Sequence, residues 1–402
     1  MNTALKKDNF NKTVLLFTLT YMVSYMTRIN FGAIISEMER ATQISRSLLS
    51  MSLTGSFVTY GAGQIISGVL GDKFPPKKLI TYGFLATIIM NFIIPLCQNP
   101  YQMLFVWCIN GFAQAFMWPP MVKLATTLFS EGEYKKAVAK ISWGSSSGTI
   151  AVYLLSPVII SFFSWKGVFF FSAICGIIMM LVWNRSCEDI RPEEKKEKEG
   201  KKASNGVLFS PFMISIMVAI ILQGMLRDGV TTWMPTYISE TYNMSNLIAI
   251  LTGVIMPVFS IICFQITTSI YTKKLKSPVL CGGVIFLAGA VSSLALLLLS
   301  GSAAFLSVLF CALLTGCMHG VNLMLICMLP AYFKKYGNVS TVSGVLNSCT
   351  YIGSAISTYG IALLSEKFSW GFTLFTWLLT AVVGTVICFL CVKPWNKNFK
   401  EL

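Results

Sequence analysis

Twelve apolar stretches run through this chain, each of roughly the twenty residues a helix needs to cross a hydrocarbon core of about 30 Å. They fall at about 13–35, 47–71, 79–97, 101–129, 138–163, 167–184, 209–231, 246–270, 279–299, 303–333, 338–363 and 371–392. Segments this long and this continuous predict an all-α membrane protein with twelve transmembrane helices. Composition agrees: 55% of the residues are hydrophobic and 12% charged, about half the ~25% charged fraction of soluble proteins. Apolar content this high also excludes a chain that stays unpacked in water. Lys6 and Lys7 precede the first stretch, but that stretch carries Arg28 and no small-residue cleavage site, so it reads as a spanning helix and not a removable signal.

The connections are short, and their charges fix an orientation. With the N-terminus inside, twenty-four of the 31 Lys and Arg fall on the inner side, and only Arg40, Arg46, Lys166 and Lys367 fall outside. The positive-inside rule then predicts both termini cytoplasmic. The net charge of +15 faces the inner leaflet of the lipid bilayer, and nucleic-acid binding is not needed to explain it. One connection differs from the others: residues 185–207 mix Lys and Glu with few aromatics and read as a solvated cytoplasmic linker. It separates residues 1–184 from 208–402, six spans each. This layout predicts two parallel six-helix repeats that rock about a site near the midplane, complete as a monomer. Asn243-Met244-Ser245 is the one acceptor sequon on the outer side, and the absence of a long glycosylated loop suits a bacterial cytoplasmic membrane.

Charges inside spans are costly and mark pathways or sites. Here they are Arg28, Lys123, Arg227 and Asp228, with His319 as a further ionisable group. Arg28 and Arg227 lie in the first span of each half, at depths of about 22 and 26 Å for a rise of 1.5 Å per residue. Two guanidiniums at matched depth predict a pseudo-symmetric clamp. Arginine is always charged, and its planar fork suits phosphate or carboxylate, so a small anionic substrate would complete the site. Two plainer arrangements compete: Arg28 reaching Glu37 or Glu39, and Arg227 pairing with Asp228. The second is disfavoured because adjacent helical positions point about 100° apart. Tyr21 and Tyr25 share one helical face with Arg28. Lys123 follows Trp118-Pro119-Pro120 and reads either as a site residue or as a side chain snorkelling to the inner surface. His319 reads as a proton relay or a helix-to-helix hydrogen bond.

The stretch Gly68-Val-Leu-Gly-Asp72-Lys73-Phe-Pro-Pro76-Lys77-Lys78 resembles the loop signature of the major facilitator superfamily, with Pro76 in place of the usual glycine. The resemblance implies a conformational latch formed by Gly68, Asp72, Lys73 and Lys77. The corresponding loop of the second half, Tyr271 to Lys276, has no acid. Within that superfamily the chain resembles the organophosphate:phosphate antiporters. The similarity rests on Tyr21-x₃-Tyr25-x₂-Arg28-x-Asn30-Phe31, on Leu226-Arg227-Asp228-Gly229-x₃-Trp233-x-Pro235-Thr236-Tyr237, and on Trp118-Pro119-Pro120-x₂-Lys123. It implies that Arg28 and Arg227 bind a phosphate moiety, with Tyr21, Tyr25, Tyr60 and Tyr351 around it and inorganic phosphate as the exchange partner. Gln64 and Ser147 stand where glycerol-3-phosphate transporters have a lysine and a histidine, and Asp228 where a tyrosine is usual; with Lys123 the first two complete the expected substrate group. The chain is also similar to the anion:cation symporters, which move sugar acids and other carboxylates, commonly with protons. On that alternative Asp228 or His319 is the protonatable group.

Other classes find less support in the sequence. A single histidine and twelve cysteines without a CxxC pair give no metal cluster and no disulfide framework, so no metal or cofactor is expected. One histidine with one deep aspartate is too little for a catalytic triad, and the chain is not expected to be an enzyme. A transporter-like sensor is the lesser alternative, with no appended signalling domain to support it. The sequence therefore predicts a secondary transporter of a small organic anion, most readily an organophosphate, working by rocker-switch alternating access.

Overall fold

The computed structural model describes residues 3–44, 46–187, 206–244, 255–336 and 338–399, and every regular element among them is helical. The chain begins with α1 (Thr3–Ala33), α2 (Ile35–Thr42), α3 (Arg46–Lys73) and α4 (Pro76–Ile93). It continues through α5 (Pro100–Gln114), α6 (Trp118–Leu128), α7 (Glu131–Phe163) and α8 (Trp165–Ser186). Beyond residue 206 come α9 (Pro211–Tyr242), α10 (Ile255–Lys273), α11 (Pro278–Leu299), α12 (Ala304–Asn322), α13 (Val339–Lys367) and α14 (Trp370–Asn398). The expected linker falls mostly on residues 188–205, outside the described residues, as do residues 246–254 of the expected eighth span.

Among the described residues, eight helical runs are long and apolar enough to cross a membrane. The other four expected spans, 13–35, 47–71, 101–129 and 338–363, coincide with α1, α3, α5 with α6, and α13. These are less apolar or interrupted. The first, second and last are rich in Ser, Thr, Tyr, Asn and Gly, and α5 is only 15 residues long.

Two expected continuous spans are broken, and proline accounts for both breaks. The 101–129 segment divides into α5 and α6 at Ala115–Met117, because Pro119 and Pro120 lack the N–H that would continue the ladder, while proline is well accommodated in a helix's first turn. The 303–333 segment leaves α-geometry after Asn322. It passes through a π-helical stretch, Leu323–Met328, and a 3₁₀ stretch, Leu329–Tyr336, around Pro330. Several helices also run past their expected spans, α9 by eleven residues to Tyr242 and α14 by six to Asn398. α1 starts ten residues early, and α7 begins at Glu131, where Ser130 and Glu133 form a reciprocal capping box.

The helices group into two compact units. The first comprises Met1–Glu197 with Gly337–Ser348, and the second Lys198–Tyr336 with Cys349–Leu402. Within the first, α1 packs along α7 and α3 along α5. Phe31, Trp107 and Phe169 form an aromatic core, with Phe31 and Trp107 ring centres 5.2 Å apart and Trp107 and Phe169 5.8 Å apart. Within the second, α11 lies against α12 and α14, and α9 against the same two helices. Lipid offers little hydrophobic drive for helices to associate, so close backbone approach matters more. Two glycines make it possible. A Cβ on Gly148 of α7 would strike the Met22 carbonyl and come within 2.9 Å of the Tyr25 Cβ on α1, and one on Gly353 of α13 would strike the Ile221 carbonyl of α9. Large apolar side chains such as Phe162, Phe163, Leu298 and Phe305 point outward, as a lipid-facing surface requires.

Gly148→Leu is expected to destabilise the protein by about 1–3 kcal/mol through overpacking, read as a lowered melting temperature in detergent. Gly132→Leu, where an added Cβ meets nothing within 4 Å, is the comparison expected to leave it unchanged.

Candidate functional site

In the first unit, the α1 face predicted from spacing gathers around Arg28. Its guanidinium carbon stands 4.3 Å from the Tyr25 ring centre and 4.8 Å from that of Tyr60, a buried residue of α3. Both distances are within cation–π range. Tyr21 extends the group: its ring centre lies 5.1 Å from Tyr25 and 4.9 Å from Trp118 at the start of α6. Two aromatic faces hold the cation, whose planar fork carries only donors. Glu37, weighed in the sequence as a partner for Arg28, accepts a hydrogen bond from Arg40 at 3.0 Å.

The residue beside Arg28 is held by amides that sequence reasoning missed. The Thr27 carbonyl accepts from Asn91 Nδ2 of α4 (3.0 Å) and Asn110 Nδ2 of α5 (3.3 Å), while its hydroxyl accepts from Gln114 Nε2 (2.9 Å). Asn30 Nδ2 donates to Asn91 Oδ1 at 2.8 Å. All five side chains are fully or almost fully buried, so these bonds fix the rotation of α1 at the turn that carries Arg28. The available signal was three carboxamides inside apolar runs, which seldom occur without a helix-to-helix partner.

The other expected residues of this unit make the following contacts. Gln64 is fully buried; its Nε2 donates to the Ala115 carbonyl (3.4 Å) and its Oε1 accepts from Asn347 Nδ2 (3.0 Å). Ser147 is half-buried on α7. Lys123, expected with the substrate group, lies on Asp72, its Nζ 3.3 Å from Oδ1. Asp72 also receives the Ser340 N–H at Oδ1 (3.0 Å) and the Thr341 N–H at Oδ2 (2.7 Å). These are first-turn amides of α13, where an anion is favoured by both free donors and helix dipole. Gly68 lies at the same contact, since an added Cβ would be 2.8 Å from the Ser340 carbonyl. The two expected latch lysines are elsewhere: Lys73 is exposed, and Lys77 donates to the Cys187 carbonyl at the end of α8 (2.6 Å). A lysine there answers the carbonyl charge at a helix C-terminus.

In the second unit the structure corrects one argument from sequence. Arg227 and Asp228 do pair, and bidentately: Nε to Oδ1 at 2.7 Å and Nη2 to Oδ2 at 2.8 Å. The Cβ vectors of neighbours diverge by about 100°, but the arginine side chain is long enough to fold back across that angle. Arg227 Nη1 donates to Asn322 Oδ1 at 3.1 Å, and the Ser354 hydroxyl donates to Asp228 Oδ2. Gln223, one turn earlier on α9, donates to the Met318 carbonyl at 3.0 Å. Neither Asn322 nor Ser354 was anticipated. Asn322 is the last residue of α12 before the π-helical stretch, and its only sequence signal was the nearby Pro330. His319 stacks edge-on against Phe264, the ring centres 5.6 Å apart. Tyr351 is buried on α13. All twelve cysteines are free, and among the described residues no group of His, Cys, Asp and Glu is placed to hold a metal.

Against known proteins, the sequence profile of the Major Facilitator Superfamily matches residues 17–358. A probable hexose phosphate transport protein of Chlamydia trachomatis is 23% identical, the match covering 96% of this chain and 90% of that protein. The membrane sensor protein UhpC of Salmonella typhimurium is 22% identical over 88% of this chain and 84% of its own. The glycerol-3-phosphate transporter of Bacillus subtilis is 27% identical over 56% of each chain. Among solved structures, the proton:xylose symporter XylE superposes with a TM-score of 0.79 at 12% identity, covering 98% of this chain and 96% of that one.

Asp72 bonds two main-chain amides and one lysine, so Asp72→Ala is expected to cost about 1.5–3 kcal/mol, the range for hydrogen bonds to a charged group. In a double-mutant cycle with Lys123→Ala the two losses should fall short of additivity. Thermal denaturation in detergent measures both.

Proposed function

The chain belongs to the Major Facilitator Superfamily, and from that premise we propose that it is a secondary transporter of a small phosphate-bearing organic anion. It is a multi-pass membrane protein of a transporter family, and its function is transport, not catalysis. The observation that carries the substrate reading is the pair of guanidiniums set deep in apolar helices: Arg28 between two tyrosine rings and Arg227 framed by Asn322 and Asp228. A charge in such surroundings is retained for a reason, and a planar fork among hydroxyls and amides matches phosphate oxygens. Similarity to a hexose phosphate transport protein and a glycerol-3-phosphate transporter supports the same substrate class.

In this reading the Arg28 cluster and the Arg227 cluster are the substrate-binding groups, with Tyr21, Tyr25, Tyr60 and Tyr351 as neighbouring hydroxyls. Asp72 and Gly68 serve the latch, joined by Lys123, while Asp228 and His319 are the groups available for proton coupling. Inorganic phosphate is the exchange partner. The bundles are 1–184 and 208–402, residues 185–207 and both termini are cytoplasmic, the membrane is the cell membrane, and the monomer is the working unit. Anion binding offsets buried positive charge and so favours reorientation of the loaded carrier, which enforces exchange.

The similarity to UhpC favours one further reading, a sensor that binds the anion without moving it.

Counterflow into proteoliposomes preloaded with inorganic phosphate separates these possibilities. Uptake of a labelled phosphate ester that needs internal phosphate and ignores a pH gradient is the expected outcome. Uptake of a sugar acid driven by the gradient would instead establish a proton symporter of carboxylates, and ester binding without uptake a sensor. In the same assay Arg28→Lys is expected to lower exchange by tenfold or more, about 1.4 kcal/mol of lost interaction, because a point charge cannot reproduce the fork.

A further inference from the structure

We infer that Asp228 is a charge-levelling residue: its carboxylate occupies the fork of Arg227 and cancels the advantage this cluster would otherwise give a dianion over a monoanion. The inference rests on the reading of Arg227 as a substrate-binding group. A guanidinium presents two edges to an anion, one through Nε and Nη2 and one through the terminal nitrogens. Asp228 holds the first edge with both oxygens, at 2.7 and 2.8 Å, and Asn322 accepts from Nη1 at 3.1 Å. The Asp228 side chain is 28% exposed and that of Arg227 12%. An approaching anion therefore meets the carboxylate more readily than the guanidinium.

The consequence follows from Coulomb's law. The acid is the next residue along α9 and is steadied by the Ser354 hydroxyl, so an incoming anion can share or loosen the pair but cannot send the carboxylate away. Its repulsion falls on every anion in proportion to the ligand's charge, and a dianion suffers twice what a monoanion does. Arg227 supplies attraction in the same proportion, so with Asp228 ionised and nearby the pair gives a second negative charge almost nothing. Removing the carboxylate restores the full field of Arg227, and a dianion gains more than a monoanion.

Two probes that share a skeleton and differ by one charge test this: glycerol 3-phosphate at pH 8, a dianion because its second pKa is near 6, and its methyl diester, a monoanion. Binding to the full-length protein in detergent is measured by isothermal titration calorimetry. Arg28 is read as a second binding guanidinium and favours a dianion by itself, so the parent comparison is made in Arg28→Gln, which is expected to bind the diester at least as tightly as the dianion. A preference for the dianion there overturns the inference. In Asp228→Asn the dianion should gain about tenfold or more over the diester; equal gains, or none, overturn it. Asp228→Glu keeps the negative charge beside Arg227, so its preference should stay close to that of the parent, and a shift like that of Asp228→Asn also overturns it. If neither phosphate probe binds the wild type but gluconate does, the organophosphate reading fails. The charge inference is then decided by gluconate against the dianion glucarate, under the same criteria.

Discussion

An apolar solvent leaves a polar group nothing to bond except the protein itself, and that constraint organises this molecule. Backbone groups meet it by forming helices throughout the described residues. Side chains meet it in clusters: the amides around Thr27, the three donors around Asp72 and the partners of the Arg227–Asp228 pair. Each cluster joins residues distant in sequence, so satisfying polar groups also specifies which helices meet. Apolar side chains cannot specify this, since lipid tails are as apolar as leucine.

The same constraint explains where function is found. A buried guanidinium must be partnered before any ligand arrives, and the two arginines are partnered differently. Arg28 rests on aromatic faces, which hold a cation through their π-electrons. Arg227 has an acid in its fork, so that an anion reaching it must share or loosen the pair.

Much of this was legible in the sequence, and the exceptions have physical causes. Span positions followed from apolar length, and the grouping of Tyr21, Tyr25 and Arg28 followed from helical spacing. Breaks at Pro119 and Pro330 were overlooked because hydropathy continues through them, although proline geometry does not. Lys123 could be placed in a helix but not against Asp72, since they are 51 residues apart in sequence and only packing brings them to 3.3 Å. The Arg227–Asp228 pair was discounted from the angle between backbone vectors, which neglects the reach of the arginine. Asn322 was signalled only by the nearby Pro330, and Ser354 not at all, because polar residues are common along α13 and nothing local shows which one meets a charge.

In the other two polar clusters the partners belong to different helices from the groups they serve: Asp72 depends on where α13 lies, and Thr27 on α4 and α5. Asp228 does not. It is covalently next to its arginine, so the pair is a portable unit that accompanies α9 wherever that helix goes. Neighbouring helices can slide, tilt or part without ever stranding Arg227 as a bare charge in lipid.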